Sequence, residues 1–209
     1  MDDLKTMLYF TLLSGSAALA TSGLALAEME NPHQHHHMMM AESIAYQSTL
    51  ADYEVPDVKL VDVQGAPVSL REDLADDAPV MLNFIFTSCT SICPVMSSTF
   101  QQVQQQLGEE SGKVRMVSIS IDPEQDTPAR LQAYADRYQA GPNWQMLTGT
   151  VENSIAVQRA FDAYRGDKMN HAPATYLRAG GAGSPWLRLD GFASASDIIS
   201  EYRKLARHP

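Results

Sequence analysis

NFIFTSCTSICPVM, residues 83–96, is the stretch whose reading decides the fold. Residues 80–86 form a short apolar, β-branched run ending in Thr87 and Ser88, the profile of a strand buried on both faces. A helix is expected just after it. Pro94 suits the first helical position, where its missing N–H costs nothing, and Val95, Met96, Phe100, Val103 and Leu107 then recur at helical spacing. The two cysteines therefore sit on a strand-to-helix turn, Cys89 in the loop and Cys93 at the helix cap. Unsatisfied backbone N–H groups and the positive end of the helix dipole favour thiolate over thiol at both sulfurs. Their spacing brings the sulfurs close enough to form a disulfide or to grip one metal ion, according to oxidation state.

With 209 residues, 44% of them hydrophobic, the chain has enough core for one domain of ordinary size plus extra segments. The net charge of −10 argues against nucleic acid or an anionic membrane surface as partner. Two cysteines so close in sequence would close too short a loop to stabilise a fold much, which disfavours a purely structural disulfide.

Residues 8–26 are apolar with Ser, Gly and Thr interspersed, and Ala25-Leu26-Ala27 before Glu28 has the small-x-small form of a cleavage site. Residues 1–27 thus read as a signal peptide or, if uncleaved, an anchor. Asp2 and Asp3 outnumber Lys5 in a region that is normally basic. Either way the domain is expected outside the cytoplasm, in the periplasm, with membrane contact only if the segment stays uncleaved. There a cysteine pair stays reduced only if a reductant or a metal holds it.

The following segment, residues 28–50, is expected to be disordered and His/Met-rich. It contains His33, His35, His36, His37, Met38, Met39 and Met40, four of the chain's six histidines and three of its eleven methionines. Imidazole suits Cu(II) and Zn while thioether selects Cu(I), so the run could hold copper in both redox states; the alternative is a low-complexity tail. Residues 41–56 read as an irregular lead-in with a short helix.

Residues 51–209 then carry the domain. Residues 57–63 and 68–70 around Gly65 read as a β-hairpin and 71–75 as a turn of helix. After the buried strand and first long helix, residues 114–121 form a second strand. Thr127 caps and Pro128 opens the next helix, with Leu131, Tyr134 and Tyr138 on its apolar face. A strand at 144–147, a helix at 151–161, strands at 175–177 and 186–189 around a glycine-rich turn, and a helix at 194–206 complete the chain. This order fits an α/β, thioredoxin-like sandwich, a central mixed β-sheet flanked by helices with an N-terminal hairpin extension. The reactive turn lies at the carboxyl end of a central strand, where open α/β sheets place their sites.

Apart from the tail and His208, the domain has one histidine, His171, in a loop entering a strand. In such a fold that loop faces the cysteine turn, although an isolated loop histidine is more often a surface residue. Two thiolates and an imidazole would suit Cu(I), or Cu(II) with one further ligand. Three stretches now combine: Cys-x-x-x-Cys-Pro within residues 86–94, Ser120-x-Asp122-Pro123-x-x-Asp126-Thr127-Pro128, and His171 followed by Thr175-Tyr176. Together, and in this order across residues 50–207, they resemble the Sco/SenC family of copper proteins. The resemblance implies a thioredoxin fold, one copper held by Cys89, Cys93 and His171, and assistance in building the CuA centre of cytochrome c oxidase. It also implies reduction of that centre's cysteines by thiol–disulfide exchange, and a place for Asp122 near the metal. Asp126 reads better as a helix cap. Asn170 stands where many members have aspartate, Thr90-Ser91-Ile92 replaces the usual insert, and Pro173 lies one residue out of register with the thioredoxin proline.

Two functions follow. In one, the protein is a metallochaperone passing copper to a recipient, cytochrome c oxidase subunit II by the resemblance, with the tail as auxiliary collector. In the other it is a thiol–disulfide oxidoreductase, Cys89 attacking and Cys93 resolving, served by a thioredoxin-like reductant. A peroxidase fits less well, since no arginine is close to Cys89 in sequence.

Overall fold

The computed structural model describes residues 46–207. Residues 1–27, expected to be a signal peptide, the His/Met run and His208 lie outside the described residues. Eight strands and five α-helices follow in order: β1 (Gln47–Ala51), β2 (Lys59–Val61), β3 (Pro67–Ser69), α1 (Leu70–Asp73), β4 (Val80–Ile85), α2 (Ile92–Leu107), β5 (Arg115–Ser120), α3 (Pro128–Arg137), β6 (Trp144–Leu147), α4 (Val151–Ala160), β7 (Ala174–Arg178), β8 (Trp186–Asp190) and α5 (Ala195–Leu205).

Six strands make one mixed sheet in the order β1-β8-β7-β4-β5-β6, with β4, β5 and β6 parallel and β7, β8 and β1 joined antiparallel. β2 and β3 pair as the expected hairpin and touch the sheet through a bridge from Val61 to Thr148. All six residues of β4 are buried, as its apolar run requires. Asn83 is the exception in chemistry: its side-chain oxygen accepts from Ser118 Oγ at 2.7 Å, and that hydroxyl accepts from Trp144 Nε1 at 2.9 Å. This chain links the three parallel strands and partners the amide oxygen at the sheet's centre, while the Asn83 Nδ2 is left buried without a partner.

The two faces bury separate cores. On one, Phe100, Val103 and Leu107 of α2 pack with Leu131 and Tyr134 of α3 and Ile198 of α5. On the other, Leu70 and Leu74 pack with Val157 of α4 and Phe161 just after it, against Phe84, Tyr176 and Trp186. Phe161 touches four aromatic rings edge-on or tilted, Tyr53, Phe84, Tyr176 and Trp186, with centroids 5.0–6.1 Å away.

The expected elements recur within a residue or two, with three differences. Residues 47–50, read as part of the segment before the domain, and Ala51 form β1 on the sheet edge beside β8, not an irregular lead-in. Four of its five residues are exposed, so it shows no apolar alternation; backbone pairing makes the strand. Helix α2 begins at Ile92 after Ser91, placing Cys93 inside the first turn and Pro94 at the third helical position, which also needs no N–H partner. Val95 is 47% exposed and leaves the expected apolar face, because it stands one residue, about 100°, away from the Met96–Phe100–Val103–Leu107 stripe.

Phe161→Ala should cost about 3–5 kcal/mol of unfolding free energy in urea. A loss under about 1 kcal/mol would show that this aromatic cluster does not hold the second core together.

Candidate metal centre

Strand β4 ends at Ile85, and the chain must turn at once to enter α2. Three backbone groups shape that turn. Phe86 N–H donates to Cys93 Sγ at 3.4 Å, Cys89 N–H donates to the Phe86 carbonyl at 3.1 Å, and Cys93 N–H donates to Cys89 Sγ at 3.4 Å. Each cysteine thus accepts from the other end of the turn. Both are free thiols.

Their environments differ, contrary to the expectation that both favour thiolate. Burial pushes the Cys89 thiol up, but the N–H groups of Cys93, Ser91 and Ile92 at the open start of α2 outweigh it and hold the group below the ordinary thiol range. Cys93 is fully buried. Burial drives its thiol well above the ordinary range, against one N–H from Phe86 and with the neighbouring Cys89 adding to the rise. The helix terminus serves one sulfur, not two.

The loop is pinned from below by Asp126, itself fully buried. Its carboxylate accepts from Thr87 N–H at 3.2 Å, Thr87 Oγ1 at 2.5 Å and Ser120 Oγ at 2.6 Å. Asp126 is therefore not the helix cap; Thr127 is, accepting from Arg130 N–H at 3.4 Å. The sequence contained the sign of this. With Thr127 and Pro128 sufficient to start α3, the preceding carboxylate was free to turn inward.

His171 arrives from the loop before β7 and is 7% exposed. Its Nε2 lies 3.1 Å from the Phe84 carbonyl oxygen. A carbonyl only accepts, so Nε2 carries the proton and the neutral ring keeps its lone pair on Nδ1. Burial lowers the imidazole's pKa from its ordinary 6.5, against the Phe84 bond, which raises it. Cys89 and His171 line one small pocket with Phe86, Ile92, Lys168 and Met169.

The His171 loop is latched by an ion pair that the sequence did not reveal. Lys168 Nζ lies 2.5 Å from Asp122 Oδ2 and sits 5.7 Å from the centre of the Phe86 ring. The Asp122 hydrogen bond raises the lysine's pKa. Asp122 is thus close to the site, as expected, but holds the loop through Lys168. Asp122, Lys168 and His171 also line a larger cleft of about 430 Å³.

Among the described residues, no three His, Cys, Asp or Glu side chains converge at metal-holding distance. The donor set nonetheless suits a soft monovalent ion: one sulfur held towards thiolate, a second beside it, and an uncharged imidazole with one free lone pair. Binding a single ion would draw these three inward. His33, His35, His36, His37, Met38, Met39 and Met40 lie outside the described residues.

A dithiol turn at the carboxyl end of a central strand, faced by a buried histidine in a thioredoxin-like sheet, defines the class. The chain belongs to the SCO1/SenC family, whose model matches residues 47–207. It is 37% identical over 105 residues to the SCO1 protein homolog of Bacillus subtilis, covering 50% of this chain and 53% of that one. Aligned regions span about half the length of the curated relatives it matches. BsSco, a Sco-family cytochrome c oxidase assembly protein in which a disulfide switch was identified, superposes with TM-score 0.63 at 30% identity, covering 77% of this chain and 98% of that one. ScoI of Arabidopsis thaliana with copper bound shares the fold at TM-score 0.61 and 24% identity, covering 74% and 99%.

Two outcomes test this geometry. Iodoacetamide should modify Cys89 first, at a rate that rises with pH through a midpoint below the ordinary thiol range, and spare Cys93 until the protein unfolds; equal reactivity would contradict the asymmetry. Asp126→Ala, which leaves Thr87 N–H and two hydroxyls unpartnered, should cost about 2–4 kcal/mol in urea unfolding. An unchanged midpoint would mean that the carboxylate does not pin the turn.

Proposed function

We propose that this protein is an exported copper metallochaperone of the Sco type, which carries one copper ion on Cys89, Cys93 and His171 and delivers it to a copper-receiving protein. The observation that carries the reading is the pairing of a depressed, partly exposed thiol with a buried neutral imidazole on one pocket. Two thiolates with a neutral nitrogen prefer Cu(I) over harder divalent ions, and the same set takes Cu(II) with one further donor. Copper displaces the thiol protons, so the pair must be reduced to load; oxidation to a disulfide empties the site. The family's copper-bound members and its tie to cytochrome c oxidase assembly support the CuA-bearing subunit II as recipient. The small-x-small site at residues 25–27 supports delivery in the periplasm.

The asymmetry of the two thiols also favours a second activity, thiol–disulfide exchange. The Cys89 thiolate attacks a partner disulfide, the partner's thiolate leaves, and Cys93 then displaces the mixed disulfide. The partner ends as a dithiol and this chain as a Cys89–Cys93 disulfide, two electrons having moved to the partner. Reduction of the partner's copper-site cysteines and delivery of copper would then be successive steps at one site, with a thioredoxin-like reductant returning the Cys89–Cys93 disulfide to thiols between them.

Competition for Cu(I) against a chromophoric chelator, without oxygen and with the reduced chain, tests the first reading. Cys89→Ser and Cys93→Ser should each weaken the domain site at least 100-fold and His171→Ala at least 10-fold. Because burial lowers the imidazole's pKa, the His171 contribution should persist as pH falls through 6.5 and disappear only below it. Equal affinity in wild type and His171→Ala would remove the histidine from the site and leave dithiol exchange as the leading account.

A further inference from the structure

Two of the three donors of the metal centre are out of solvent: Cys93 is fully buried and His171 is 7% exposed, whereas Cys89 is half-buried. Cys89 and His171 open onto the same small pocket, and an ion that approaches them through it passes Ser88, Thr90, Ser91, Lys168 and Met169. The larger cleft also reaches His171, but neither cysteine lines it. The side chains at the pocket's wall therefore govern how copper reaches the sulfurs. The hydroxyls of Ser88, Thr90 and Ser91 are hard oxygen donors, poorly matched to Cu(I). Lys168 is an ammonium bound to Asp122 Oδ2 at 2.5 Å, with no lone pair to offer. Met169 remains, a neutral thioether of the kind that selects Cu(I) and that loses no proton on binding it.

Its placement serves exchange better than packing. Met169 is 73% exposed, the most of any large apolar side chain among the described residues, so it adds little to a core. Its backbone, by contrast, is held. The Met169 N–H donates to Asp167 Oδ1 at 2.8 Å, and the residue stands in the single 3₁₀ turn Lys168–Asn170. The His171 N–H closes that turn on the Lys168 carbonyl at 3.1 Å, and the Lys168–Asp122 pair ties it to the end of β5. A long, unbranched side chain with three rotatable bonds thus swings from a fixed root beside the pocket, two residues before the histidine. Three sulfurs then follow one another in order of burial: Met169 exposed, Cys89 half-buried and Cys93 buried.

We propose that Met169 is the exchange ligand of the copper site, the donor that takes an arriving Cu(I), passes it to Cys89 and Cys93, and meets it again on the way out. This rests on the copper-chaperone reading and adds the residue that sets the rate of loading and delivery. On loading, a bond from Cu(I) to its donor molecule breaks as one to the Met169 sulfur forms. That bond breaks in turn as Cu(I) bonds to the two cysteine sulfurs, whose thiol protons pass to solvent. Delivery is the reverse, with two protons taken back, and copper stays Cu(I) throughout. A thioether suits the task because a neutral sulfur holds the cation less firmly than an anionic one and so releases it. It speeds exchange in both directions and leaves the equilibrium where the cysteines and the imidazole set it.

The test uses the full reduced chain carrying H33A/H35A/H36A/H37A/M38L/M39L/M40L, so that residues 33–40 supply no donors, with and without Met169→Leu. Leucine keeps the apolar bulk and removes the sulfur. Each protein is mixed without oxygen with a coloured Cu(I)–chelator complex, and each loaded protein with free chelator; copper–thiolate absorbance in the ultraviolet follows arrival and departure. Met169→Leu should slow both rates about 10-fold and leave the equilibrium affinity within about 2-fold. Equal rates with and without the sulfur would overturn the proposal. So would a loss of affinity expressed in the departure rate alone, which would make Met169 a resident ligand. If the chain that keeps Met169 gains no copper–thiolate absorbance at equilibrium, the chaperone reading falls, and the exchange role with it.

Discussion

A buried carboxylate sets the site. Asp126, without solvent, holds the backbone and hydroxyl of Thr87 on one side and the Ser120 hydroxyl on the other. It therefore fixes the end of β4 to the end of β5 just where the chain must turn towards α2. A carboxyl group in that place tolerates no slack, since each lost hydrogen bond leaves a buried polar atom without a partner in a medium of low dielectric. Two residues beyond Thr87 stands Cys89, whose sulfur meets the open N–H groups of α2 only because the turn is held in register. The imidazole side of the site depends on a matching constraint. The Asp122–Lys168 pair ties the loop before β7 to the end of β5, and the Phe84 carbonyl selects the histidine's tautomer.

From these constraints comes an unequal pair of thiols. One is partly exposed and inclined to ionise; the other is buried and inclined to stay protonated. That inequality suits directional disulfide exchange, in which one thiol must attack and the other wait. It suits copper equally, because an ion arriving at Cys89 can displace the Cys93 proton and stabilise the thiolate that burial opposes. On the proposed function, redox state and metal loading act on the same two atoms, and oxidation of the pair would release the copper.

The elements visible in the sequence were those built by apolar pattern and cap chemistry. The buried run at β4, the Thr127-Pro128 start of α3 and the helix that follows Ser194 were all legible for that reason. β1 was not, because an edge strand with four exposed residues is made by backbone pairing to β8, which leaves no trace in side-chain pattern. The cysteines and His171 were legible as chemistry. The opposed thiol environments were not, since burial of Cys93 depends on α2 beginning two residues earlier than Pro94 suggested. Lys168 and Asp126 were missed for one reason: each acts through a partner 39 or more residues away.

The central claim is that Cys89, Cys93 and His171 close on one ion. X-ray absorption at the copper edge, recorded on the chain with residues 33–40 substituted and one equivalent of Cu(I) bound, measures this directly. Two sulfurs and one imidazole nitrogen in the inner shell is the predicted result, with the nitrogen lost in His171→Ala. A shell of sulfur alone, or of nitrogen and oxygen alone, would contradict the account.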